Sequence, residues 1–350
     1  CNRSDCCEFD SLSNWPLRSL TPPMVPLVYH PAYNITAFGL ERLHPFDGRK
    51  YRRIHDALIA RGLRRANDFT RPRPANGVDL RRLHTPKYLR SLRRSQTLAR
   101  ILEVPIVCRM PAFAIDWRVL RPMRYATGGT ILACRMALKH GMAVNLGGGY
   151  HHAGGDFGGG FCVYADVPLA VQILHDEGRV GRVLVVDLDT HQGNGTAAVF
   201  RRWPWAMILD LYEEDIFPDP KEPEDYPLPV GPGLTGKECL DLVEDALNEA
   251  LDAVRPDLVV YNAGSDPFEG DPLASRFGPL GVRHRTDRVV VRRVPVGAPL
   301  PELARHVVEA PRVRLPGAHG VGAGVAVGKT PRVFADRRLR RDELSGDGVP

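Results

Sequence analysis

Val183-Leu184-Val185-Val186-Asp187-Leu188-Asp189-Thr190-His191-Gln192-Gly193-Asn194-Gly195-Thr196 is the stretch on which the fold turns. An apolar run, Val183 to Val186, reads as a buried strand that ends in Asp187-Leu188-Asp189-Thr190-His191 and a glycine-rich turn. Side chains alternate along a strand, so Asp187, Asp189 and His191 are expected on one face. Two carboxylates and an imidazole where a strand runs out are oxygen and nitrogen ligands suited to a divalent metal. A lone DxD more often caps the following helix. DxDxH after an apolar run, with a second polar cluster upstream, favours the metal site.

That upstream cluster is Asn145-Leu146-Gly147-Gly148-Gly149-Tyr150-His151-His152-Ala153, followed by Gly158-Gly159-Gly160-Phe161-Cys162. Adjacent histidines diverge on either regular element, and taken alone these could be incidental to a flexible loop. Glycine runs on both sides let the backbone bend close to a ligand, and two imidazoles there suit proton transfer near neutral pH. A third piece, Leu258-Val259-Val260-Tyr261-Asn262-Ala263-Gly264-Ser265-Asp266, is another apolar strand with an aspartate just past its end. Ligands of an open parallel sheet gather at the carboxyl ends of its strands, so Asp189, His191 and Asp266 can meet. Three protein ligands leave a fourth position of a tetrahedral zinc open, the catalytic pattern.

Around these motifs, helical spacing is read over 49–62, 128–140, 167–177 and 236–254, with short strands at 143–146, 183–188, 206–211 and 258–262. The alternation predicts an α/β fold, a mostly parallel sheet with helices on both faces. Phe217 to Gly233, rich in proline and acid, reads as a long irregular loop at the site rim. A chain of 350 residues with 43% hydrophobic content can bury one large core. Charges interrupt every apolar run, which argues against a membrane span, and no secretory leader is read at the start. Seven scattered cysteines without a CxxC pair read as reduced thiols of a cytoplasmic protein, and a lipid anchor at Cys1 is set aside.

GGGYHHAGGDFGGGFCVYADV (Gly147 to Val167), VVDLDTHQGNGT (Val185 to Thr196) and VVYNAGSDPFEGDPL (Val259 to Leu273) resemble the zinc-dependent histone deacetylase superfamily. That superfamily includes acetoin-utilisation proteins and acetylpolyamine amidohydrolases and has a single arginase/deacetylase-like domain. The DLDTHQGNGT wording and YHPAYNITAFGLERLHPFDGRKY (Tyr29 to Tyr51) are most similar to its class IV branch, and the resemblance covers about Val25 to Leu273. It implies Zn2+ held by Asp189, His191 and Asp266. His151 and His152 become the general acid/base pair, with Asp187 orienting His151 and Asn194 standing behind His152. Asp187, Asp210 and Leu211 are implied to hold a monovalent cation, K+. Gly160 and Phe161 would line an acyl tunnel, with Tyr212 at its rim. The implied reaction is hydrolysis of an acetyl or longer fatty acyl amide on a lysine side chain of a protein or peptide, or on a small acylated amine.

The two ends depart from this pattern. Residues 1–23 read as an extension outside the fold, 24–273 as the catalytic domain, and 274–350 as an atypical basic tail, disordered or produced by a frame shift. Residues 271–350 hold 15 Lys+Arg against 8 Asp+Glu, which leaves 32 against 33 for residues 1–270. The basic balance is thus assigned to the tail, and with only Phe277 and Phe334 among its arginines, nucleic acid is not the expected partner. Relatives carry a late Gly-Gly-Tyr whose hydroxyl stabilises the oxyanion, whereas Tyr261 is the last tyrosine of this sequence. Weak activity is the consequence. Two other readings stand beside the hydrolase: a non-catalytic metal-binding remnant, and a manganese ureohydrolase of the arginase type. The second needs another acid beside the third ligand, where this chain has Pro267-Phe268.

Overall fold

A computed structural model describes residues 24–36, 47–231, 234, 236–264, 266–267 and, as backbone, 325–329. The expected extension 1–23 and most of 274–350 lie outside the described residues. Eight strands form one sheet: β1 (Leu27–Val28), β2 (Phe69–Thr70), β3 (Met142–Asn145), β4 (Val183–Asp187), β5 (Ala206–Glu213), β6 (Tyr226–Val230), β7 (Leu258–Asn262) and β8 (Val325–Lys329), in the order β2-β1-β3-β8-β7-β4-β5-β6. Every pair is parallel except the two made by β8, which runs antiparallel between β3 and β7. The α/β class and mostly parallel sheet follow from the sequence as expected.

The central strands β3, β4 and β7 are buried along their whole length. Their continuous apolar runs are what a sheet covered on both faces requires. Helices α1 (Lys50–Ala60), α2 (Gly77–Leu80), α3 (Pro86–Ser91), α4 (Ser95–Ile101), α5 (Ala112–Ile115), α6 (Arg121–His140), α7 (Asp166–Asp176), α8 (Asn194–Phe200) and α9 (Gly236–Val254) supply that cover. Most of their buried apolar residues join those of the strands in one main cluster, whose members include Leu98, Ile131, Leu174, Leu184, Ile208 and Leu251, and Leu211, Val230, Cys239 and Val243 form a smaller one.

Three sequence expectations need correction. Helix α6 starts at Arg121 rather than at Gly128, because Gly128 and Gly129 are packing positions inside the helix. A side chain at 128 would run into the Arg73 carbonyl, and one at 129 into the Tyr33 hydroxyl and Asn145. The segment 217–233 is not wholly irregular, since β6 closes one edge of the sheet. Pro227 and Pro229 are two residues apart, so both missing N–H groups fall on the same side of an edge strand, where no ladder bond is lost. The tail, read as lacking any packed element, contributes β8 immediately after the glycine-rich run 320–324.

Candidate metal and proton-transfer site

Parallel strands deliver their ends to one edge. Asp187 closes β4, paired in register with Asp210 of β5 on one side and Asn262 of β7 on the other. The chain bends after Asp187, so Asp189 and His191 lie beyond the strand rather than on its face. Strand alternation therefore does not set the two, and Asp187, still on β4, pairs with His151 and Asn262. Asp189, His191 and Asp266 place one ligand atom each within 4.8 Å of one another. The His191 Nδ1 atom is 3.2 Å from Asp189 Oδ1 and 2.9 Å from Asp266 Oδ2.

The charges show why a cation fits. Both carboxylates are buried, Asp189 2% and Asp266 0% exposed. Burial and the neighbouring Asp189 push the Asp266 carboxyl up to about 7. Asp189 is held well below the usual carboxylate range despite burial, because His151 and His191 face it. Two buried acids and an imidazole converging on one point match the two-oxygen, one-nitrogen set of a three-ligand zinc centre. Backbone N–H groups fix the acids: His191 donates to Asp189 Oδ1 at 3.0 Å and Thr190 to Asp266 Oδ1 at 3.1 Å.

The histidine pair lies against this cluster, on the loop after β3. Their rings are 4.0 Å apart, and His151 Nε2 comes to 3.8 Å from Asp189 Oδ1. His151 Nδ1 pairs with Asp187 Oδ2 at 2.9 Å, whereas His152 Nδ1 pairs with the neutral Asn194 Oδ1 at 2.8 Å. That difference separates their protonation. Burial disfavours the imidazolium at both positions. At His151 the carboxylates of Asp187 and Asp189 overcome it, raising the group to about 9. At His152 burial, reinforced by the His151 charge, holds the group well below its usual range. The surroundings therefore favour the charged form at His151 and the neutral form at His152, the division of labour that acid/base pairs require.

Against known proteins, the sequence matches the histone deacetylase domain family model over residues 44–290. The chain belongs to the histone deacetylase family. Histone deacetylase 2 of Arabidopsis thaliana is 38% identical over 269 residues, spanning 76% of this chain and 70% of that protein. An uncharacterized protein of Picosynechococcus is 34% identical over 76% of this chain and 86% of its own length. The crystal structure of the HDA15 HD domain superposes with a TM-score of 0.57 at 20% identity, covering 71% of this chain and 75% of that one, which supports the fold. As in the sequence reading, a histone deacetylase domain accounts for the body of the chain; its match also runs past Leu273.

Within this deacetylase fold the remaining expected residues divide. Gly160 and Phe161 form a turn with φ of +48° and +66°, tied to α4 by the Phe161 N–H donating to the Ile101 carbonyl at 3.0 Å. A side chain on Gly160 would overlap the His152 ring. Asp210 is fully buried beside Asp187 and accepts the Gly193 N–H at 2.7 Å, while no donor among the described residues reaches its Oδ1. Burial, Asp187 and Glu224 hold its carboxyl well above the usual range, so a cation fits there too. Leu211 follows it, buried, on β5. Tyr212 is buried with the Lys221 ammonium 5.8 Å from its ring centre, and no bond or ring contact joins it to either histidine among the described residues.

Three contributors carried no role in the sequence reading. Phe217 packs edge-on against His152 with ring centres 4.9 Å apart, although it was read only as the start of a rim loop. Asn262 donates its amide to both Asp187 oxygens at 3.0 and 2.9 Å, a role only the strand register makes visible. Asp166 accepts the Gly149 and Tyr150 N–H groups and the Thr130 hydroxyl, fixing the turn that presents the histidines.

Proposed function

We propose that this chain is a zinc-dependent amidohydrolase that removes acetyl or longer acyl groups from lysine side chains or related amines. The observation that carries the reading is the buried Asp189, His191 and Asp266 cluster beside two imidazoles, one paired with a carboxylate and the other with an amide. Zinc in that cluster would supply Lewis-acid polarisation of the acyl carbonyl and of a water. The chain's own groups move the protons. Asn194 accepts the His152 Nδ1–H, which leaves Nε2 as the free base for the water proton. His151, kept charged by Asp187, has a proton to give the departing amine. Phe217, edge-on to His152, and Phe161, next to Gly160, would wall a slender acyl chain, and Gly160 leaves it room.

Potassium near Asp187, Asp210 and Leu211 and affinity to the class IV branch belong to the same proposal. So does a catalytic domain over 24–273, with 1–23 outside it and 274–350 as an atypical tail. A cytoplasmic setting fits the free thiols of Cys108, Cys134, Cys162 and Cys239. No helix of the described residues is long and apolar enough to cross a membrane. With no tyrosine after Tyr261, an oxyanion donor is missing from the sequence, which lowers turnover by about 10²–10³. Among the described residues a single cluster meets metal-ligand geometry, which favours one zinc over a two-manganese ureohydrolase. Acetyl- and myristoyl-lysine peptides incubated with the protein, with and without a chelator, test the reading. Chelator-sensitive release of acetate or myristate, leaving the unmodified lysine in the peptide, is expected; release that persists after zinc is removed overturns it.

A further inference from the structure

The near-neutral sum over residues 1–270 conceals a segregation of charge. Residues 49–100 hold 16 Lys+Arg and 3 Asp+Glu, whereas residues 101–270 hold 13 and 25. Much of the basic excess is concentrated on α3 and α4 and the turn between them, where Lys87, Arg90, Arg93, Arg94 and Arg100 are all exposed. Nearby Arg73 and Arg82 are paired with Asp79 and Asp176. No ion pair joins any of the five to a carboxylate of the described residues.

These helices buttress the site loop directly. The Thr85 N–H donates to the Gly155 carbonyl at 3.0 Å, the Tyr88 hydroxyl to the Val163 carbonyl at 2.7 Å, and the Phe161 N–H to the Ile101 carbonyl at 3.0 Å. A second wall has the opposite sign. The β5–β6 loop that sets Phe217 against His152 exposes Glu214, Asp215 and Asp219, and the Lys221 ammonium is engaged with the Ile216 and Pro218 carbonyls. The basic helices thus support the glycine loop next to His152, and the acidic β5–β6 loop carries Phe217 onto the same imidazole.

We propose that α3 and α4 form a docking surface for an acidic stretch of the polypeptide that bears the acylated amine. This rests on the deacylase reading of the site. An acidic segment on one side of the amine meets the arginines, and neutral or basic residues on the other side meet the β5–β6 loop. Complementary rim charge raises the encounter rate and fixes register. A nucleic acid or an anionic bilayer is negative throughout and is repelled by the acidic wall. Tyr88, the aromatic residue of α3, is buried, so these helices offer no ring for base stacking. A polypeptide can change sign along its length, as the two walls demand.

The test uses the full chain with zinc and short fluorescent peptides around a central acyl-lysine. One set is acidic before the lysine and basic after it, one has the reverse order, and one is neutral. Anisotropy reads binding and chromatography reads release of the acyl group. One polarity is expected to bind about tenfold more tightly than the other at low salt, the gap closing near 0.5 M as screening shortens to a few ångströms. Arg90→Glu with Arg93→Glu and Arg94→Glu should invert the preference while leaving kcat on the neutral peptide unchanged. The milder Arg93→Gln with Arg94→Gln, which preserves the exposed helix surface, should halve it or more. Equal binding of both polarities at low salt, or a preference untouched by these changes, overturns the proposal, as does tighter binding of duplex DNA or anionic vesicles. Turnover without polarity overturns the docking surface alone, whereas polarity in binding without turnover overturns the deacylase reading alone.

Discussion

Replacing Asp187 with asparagine should uncouple the charge of His151 while leaving the shape of the site intact. Asp187 is fully buried and accepts four hydrogen bonds: His151 Nδ1–H at 2.9 Å, both contacts of the Asn262 amide, and the Asp189 N–H at 3.1 Å. Whichever way the new amide is turned, its NH2 faces a donor, the His151 ring or the Asp189 backbone. The larger effect is electrostatic. Burial lowers His151, and the carboxylates of Asp187 and Asp189 reverse that to hold it at about 9. With the Asp187 charge gone, the opposing carboxylate is Asp189 at 3.8 Å. A fall of about 2 units or more is expected, roughly 3 kcal/mol against the imidazolium. At neutral pH His151 then changes from almost fully protonated to about half neutral or more. An imidazole NMR titration of the metal-free protein reads this directly, and kcat of the zinc-loaded protein should fall about 10²-fold for want of the acid. A titration midpoint within about half a unit of wild type would refute the reasoning.

Three other outcomes follow from the same geometry. Gly160→Ala puts a Cβ into the His152 ring and into a left-handed backbone costing about 1 kcal/mol, so kcat should drop about tenfold or more with zinc content unchanged; wild-type kcat contradicts it. In metal-free protein Asp266 is raised to about 7, His151 to about 9 and His191 to about 10. Each raised group stabilises the fold below its unfolded pKa and loses that contribution as pH rises through the folded value; the lowered His152 and His84 act in the opposite sense below about pH 6.5, so Tm should fall between about pH 6.5 and pH 10. Zinc should flatten the slope, and a metal-free Tm independent of pH would count against the charge assignment. Ending the chain after Leu273 removes β8 and leaves β3 and β7 unpaired in the middle of the sheet, so the urea midpoint should drop. An unchanged midpoint would mean that β8 contributes nothing.

What the sequence discloses depends on how local its cause is. The runs Val183 to Val186 and Leu258 to Val260 are legible because a strand covered on both faces must be apolar throughout, and the polar residues that end them are visible for the same reason. Helix α9, Gly236–Val254, is read with its observed bounds because one apolar stripe recurs along it. The two-residue β1 and β2 carry too little pattern to be seen, since only the pairing of β1 with β3 and of β2 with β1 makes them strands. Gly128 and Gly129 mislead, as glycine marks both helix ends and close helix contacts. At the site, ligand types and strand ends reveal Asp189, His191 and Asp266. The roles of Asn262 and Phe217 come from distant pieces of chain brought together, to which no local signal corresponds. The basic face of α3 and α4 was lost in a sum, because opposite charges on different walls cancel in composition and not in space.

The metal is the part of the site most directly open to measurement. Inductively coupled plasma mass spectrometry of the purified wild-type, Asp189→Ala and His152→Ala proteins, each checked as folded by circular dichroism, measures it. About one zinc per chain is expected in the wild type and in His152→Ala, with little in Asp189→Ala, if Asp189 is a ligand and His152 a proton carrier as proposed. Full zinc in Asp189→Ala, zinc loss in His152→Ala, or two manganese ions per wild-type chain would contradict the site as described.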